Sequence, residues 1–94
     1  MAITRRTLME RIDRFIRAIE SRKGEPDDWE GQCAKQALAD IQDGHVEQAE
    51  AQMILARTPP DLRAYPPGVP PNRPSPTTAE LRAEFDRITS QTPR

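Results

Sequence analysis

The sequence predicts an all-α protein: a small three-helix unit, a proline-rich connector and a short C-terminal helix. Two observations carry this. Apolar residues recur at three- and four-residue spacing in four separate windows, and no stretch alternates with a period of two. Eight of the ten prolines fall between Pro59 and Pro76. They divide the chain into a helical module at 1–57, an extended linker at 58–76 and a C-terminal docking helix with its tail at 77–94.

The first helix is expected from about Thr7 to Arg22, with Thr4 as an earlier possible start. Thr7 and Glu10 stand at capping-box spacing, in which each side chain satisfies the other residue's orphan backbone N–H. Leu8, Met9, Ile12, Phe15, Ile16 and Ile19 share one face of the wheel. Glu10 with Arg14, and Asp13 with Arg17, are i,i+4 pairs in the favourable order. Lys23 suits the negative end of the helix dipole, and Gly24 suits a left-handed stop.

The second helix follows Pro26, with Asp27 as N-cap and Glu30 completing a capping box. Trp29, Cys33, Ala34, Ala37, Leu38 and Ile41 form its apolar face, and Gly44 closes it. The third runs from His45 or Val46 to Arg57, where Pro59 and Pro60 stop it. Its stripe of Val46, Ala49, Met53 and Ala56 is thin, and Ile54 and Leu55 point away from it. A turn as short as Asp43-Gly44 makes the second and third helices an antiparallel hairpin, on which the first helix packs. The predicted core is Leu8, Ile12, Phe15, Ile19, Trp29, Leu38, Ile41 and Met53. The stretch Ile41-Gln42-Asp43-Gly44, followed by Ala49, Met53 and Ala56, resembles the inter-helix turn of a tetratricopeptide repeat. The resemblance covers this one hairpin and implies an antiparallel helix pair.

The connector holds three Pro-Pro pairs, at 59, 66 and 70, and favours a polyproline II spacer with Leu62, Tyr65 and Val69 as points of grip. Its Pro-x-x-Pro spacings, Pro67 to Pro70 and Pro71 to Pro74, lack a suitably spaced basic neighbour. The last helix starts near Thr77, again with a capping-box partner in Glu80, and carries one narrow stripe: Leu81, Phe85 and Ile88. About a dozen helical residues are marginal alone in water, so this helix is expected to form only when docked.

Composition removes several functions. The net charge is −1, and one cysteine cannot form an internal disulfide. Thr4-Arg5-Arg6-Thr7-Leu8-Met9 looks like a twin-arginine export signal. However, Glu10-Arg11-Ile12-Asp13-Arg14 follows where an uncharged run is required, so a cytoplasmic protein is expected. No apolar run approaches the length of a membrane span, and intermixed acids argue against the first helix lying on a membrane. Cys33 and His45 are too few for a zinc site and too far apart along the hairpin for a catalytic dyad. Aligning Gly44 with the glycine of a calcium loop puts Ala39 and Ile41 at ligand positions. The acidic group Glu25, Asp27, Asp28 and Glu30 reads as a helix N-terminus complementing its dipole. No catalytic residue, metal, cofactor or small-molecule substrate is therefore expected.

Charge is nonetheless uneven: residues 1–23 carry seven basic and three acidic side chains, and residues 24–57 carry two and eight. The arginines of the first helix alternate with acids around the wheel, which reads as a solvated face. Duplex readout by the hairpin would bring Glu47 and Glu50 against phosphates. Ile54 with Leu55, and the stripe Leu81, Phe85 and Ile88, remain outside the three-helix core. They are expected to bind a protein partner or a second copy, which makes the chain a non-catalytic accessory subunit or adaptor. On this view the connector carries the tail to a second site, and losing the tail's stripe leaves residues 1–57 folded. The alternative is that the C-terminal helix folds back onto Ile54 and Leu55 in the same chain, making a self-sufficient four-helix unit. The competing class is a small nucleic-acid-associated regulator using the Arg-rich first helix.

Overall fold

Thr4, and not Thr7, begins the first helix. The computed structural model describes residues 3–22, 24–62 and 76–90. In it α1 spans Arg5–Ser21, with the Thr4 hydroxyl accepting the Thr7 N–H at 3.1 Å. Arg5 and Arg6 are good helix formers with no reason to stay outside once Thr4 supplies the cap. Thr7 and Glu10 then lie inside the first turns, and the expected box between them is not made. The far end differs as well. Gly24 does not adopt the left-handed conformation; its carbonyl accepts a hydrogen bond from Thr78 Oγ1 at 3.1 Å. Lys23 lies outside the described residues.

Helix α2, Asp28–Gln42, is capped by Asp27 in a complete box with Glu30. It ends in a Schellman turn: Gly44 N–H donates to the Ile41 carbonyl at 3.0 Å and His45 N–H to that of Asp40 at 2.7 Å. Gly44 takes φ of +85° there, a backbone angle that glycine adopts without Cβ strain. Helix α3, Val46–Ala56, returns antiparallel and ends at Arg57. A single 3₁₀ turn, Pro60–Leu62, follows. The remaining expectations for the connector, Tyr65, Val69 and the two Pro-x-x-Pro spacings, fall on residues outside the described set.

Helix α4, Thr78–Ser90, opens with the Thr77 and Glu80 box. It does not extend away from the other three helices. It packs against α1 and α2, while α3 touches the same two helices from the other side. The described residues thus form a ring in the order α1, α3, α2, α4, all-α throughout. Leu81 and Ile88 share one apolar cluster with Leu8, Met9, Ile12, Ile16, Leu38 and Ile41. Small residues on α2, Ala34 and Ala37, let the larger side chains of α1 reach across the ring. A second, smaller cluster joins Trp29, Cys33 and Ala56, with Phe15 half-buried against both. Ile19 and Met53 are buried as well.

Polar contacts fix where α4 sits. Thr78 N–H donates to Glu25 Oε2 at 2.6 Å, which places a carboxylate at the positive end of the α4 dipole. Arg82 reaches Asp13 at 2.8 Å and Glu20 at 3.1 Å, bridging α4 to α1, and its guanidinium lies 5.4 Å from the centre of the Phe85 ring. Arg87 pairs with Glu84 and donates to Gln42 of α2 at 2.8 Å.

These contacts make the fold acid-sensitive. The hydrogen bond from Arg82 holds the Asp13 carboxyl below its ordinary range, and Arg87 does the same for Glu84. The Thr77 backbone N–H lowers Glu80. A folded-state pKa below the unfolded one contributes stability that is present above the unfolded value and lost as pH falls through the folded one. Thermal midpoints are therefore expected to hold at neutral pH and fall once pH drops below about 4. Asp13→Asn should lower the neutral-pH midpoint and flatten part of the acid fall; an unchanged acid slope would show that the Asp13–Arg82 bridge adds nothing.

Candidate interaction surface

The sequence-predicted docking residues separate into two groups. Leu81 and Ile88 are each only 1% exposed, and Phe85 is half-buried. The expectation that this stripe is free for a partner is corrected: its own chain covers it, because α4 lies in the slot between α1 and α2. The fold-back alternative holds in that α4 packs within its own chain, but it covers α1 and α2 and not Ile54 and Leu55. Ile54 remains 62% exposed and Leu55 43%.

Their exposure follows from the register of α3. Ala49, Met53 and Ala56 turn inward at i, i+4 and i+7, which leaves positions 54 and 55 on the outer half of the helix. Leu62, 69% exposed on the 3₁₀ turn, is a third exposed aliphatic residue just after the helix. Three backbone bonds keep this corner wound: Arg57 N–H to the Ile54 carbonyl, Thr58 N–H to Leu55, and Leu62 N–H to Pro59. The Trp29 indole N–H adds a side-chain donor to the Leu55 carbonyl at 2.5 Å, tying the end of α3 to α2. This corner therefore carries three exposed aliphatic side chains on a hydrogen-bonded helix end and the turn after it. Leu62 was missed as a member of it, because one leucine after Pro59-Pro60-Asp61 has no periodicity to place it.

A groove of about 690 Å³ between α1 and α4 is lined by Met9, Phe85 and the Asp13–Arg82 bridge. Cys33 is buried beside Trp29, and His45 is exposed at the start of α3. Among the described residues no group of three or more His, Cys, Asp or Glu is placed to hold a metal ion. No described helix is long and apolar enough to cross a membrane. Three of the four acids ahead of α2 are used internally: Glu25 caps α4, Asp27 and Glu30 cap α2, and Glu30 also pairs with Arg22 at 3.1 Å, while the buried Asp28 Oδ1 has no hydrogen-bond partner.

Comparison with known protein families, curated proteins and solved structures finds no match to this chain.

Proposed function

We propose that this protein is a non-catalytic protein–protein interaction module, an accessory subunit or adaptor, that docks through the corner formed by Ile54, Leu55 and Leu62. The observation that carries the reading is the exposure of three large aliphatic side chains on a hydrogen-bonded platform, beside a core that already takes in Leu81 and Ile88. Aliphatic residues exposed together on a rigid corner mark contact surfaces more often than they serve a lone chain. A cytoplasmic setting suits the single buried thiol of Cys33.

Replacing Ile54, Leu55 and Leu62 together by Ser tests this. Stability should change by no more than about 0.5 kcal/mol per site, since none of the three is buried. Affinity capture from the source cell should retain a partner with the wild-type chain and lose it with the triple variant, at equal helical content. Capture of the same partner by both proteins would remove the corner from the function.

A further inference from the structure

We propose that the partner presents an acidic amphipathic segment, which lies along the seam between α1 and α3 with its apolar side on Ile54 and its carboxylates on Arg14 and Arg57. This rests on the reading of Ile54 and Leu55 as a docking surface and assigns that surface a ligand chemistry.

The seam is built from two parallel helix edges. On α3, Glu50, Ile54 and Arg57 follow one another at i, i+4 and i+7 and so share an edge. Glu50 meets Arg11 of α1 at 3.5 Å. Three residues further along α3, past Ile54, Arg57 lines a hollow of about 570 Å³ with Arg11, Arg14, Phe15 and Ala18 of α1. The floor of the hollow is the half-buried Phe15 ring, which packs inward on Trp29, Cys33 and Ala56. Its walls are arginine and nothing acidic lines it.

Charge on this edge is left over. Arg17 has Asp13, Arg22 has Glu30, Arg82 has Asp13 and Glu20, and Arg87 has Glu84. Arg14 and Arg57 have no acidic partner among the described residues, and the expected Glu10–Arg14 pair is not made. Two guanidinium groups without an acidic partner therefore line a hollow that begins one turn past the exposed Ile54. Guanidinium groups pair with carboxylates in a two-point geometry; Phe15 and Ala18 offer apolar contact in the hollow beside them, and Ile54 offers it one turn earlier on α3. A helix with aliphatic residues on one face and acids beside them satisfies both halves of the surface. A nucleic-acid strand satisfies only one: its phosphates can meet the arginines, but it leaves Ile54 without an aliphatic counterpart.

The test is selection from a phage-displayed random peptide library on the immobilised full chain, repeated on an Arg14→Glu/Arg57→Glu variant. Both sites are exposed, so the variant should keep wild-type helical content. The wild type should enrich net-negative peptides with apolar residues at helical spacing. A representative synthetic peptide should bind the variant about tenfold more weakly. A version of it with Lys in place of its acids should regain binding to the variant. Enrichment of neutral or basic peptides overturns the proposal. So does equal binding of acidic peptides to both proteins, even if Ile54→Ser abolishes it; that result leaves the docking corner standing and removes only the acidic partner. No enrichment on the wild type overturns both readings. Retention of labelled oligo-dT that is lost in the charge-reversed variant, with no acidic peptide enriched, replaces the proposal with single-strand binding. Self-association lost in the same variant replaces it with a second copy, whose residues 24–57 carry the acid.

Discussion

Replacing Leu81 by Ala is expected to destabilise the protein by about 2–5 kcal/mol and to melt all four helices in one transition. The side chain is 1% exposed and belongs to the cluster that holds Leu8, Ile12 and Ile16 of α1 and Leu38 and Ile41 of α2. Truncation leaves a void that helices on two sides must close. A domain of this size has a total stability of about 5–15 kcal/mol, so one such change removes a large part of it. Ile88→Ala should behave alike, two helical turns further along the same face. Circular dichroism at 222 nm through a thermal or urea unfolding series decides the matter. If most of the signal persists to the wild-type midpoint while a minor fraction melts early, α4 detaches by itself and is not part of the shared core. This expectation reverses what the sequence implied, namely that the C-terminal stripe could be lost without harm to residues 1–57.

Trp29→Ala is expected to cost about 3–5 kcal/mol. The indole fills the smaller cluster with Cys33, Ala56 and Phe15, and its N–H bonds the Leu55 carbonyl. Trp29→Phe separates the two contributions. It keeps an aromatic ring but loses the donor, while Thr58 N–H still serves the same carbonyl at 3.0 Å. A loss of about 1 kcal/mol is expected for that milder change. Equal losses for Phe and Ala in urea titrations would mean that the hydrogen bond, and not the ring, holds the end of α3 in place.

Local signals in the chain translated well where the interaction is local. Asp27 and Glu30, Thr77 and Glu80, and the Gly44 turn each satisfy backbone groups within a few residues, so spacing alone reveals them. Thr4 and Thr7 were ambiguous because both can cap, and the difference of three residues depends on which hydroxyl the backbone reaches first. The stripe Leu81, Phe85 and Ile88 was legible as an amphipathic face, but periodicity does not say which surface covers it. Arg82 with Asp13 and Glu20, and Thr78 with Glu25, join residues more than fifty positions apart and leave no trace in local spacing. Likewise, Ile54 and Leu55 stand out by their register on α3, whereas Arg14 and Arg57 become neighbours only once α1 and α3 run side by side.

The chain contains a single tryptophan. Its indole sits behind the docking corner, bonded to the carbonyl of one of that corner's own residues. Light emitted by this one ring therefore reports, without any attached dye, whether the end of α3 stays seated or shifts when something settles on its outer side.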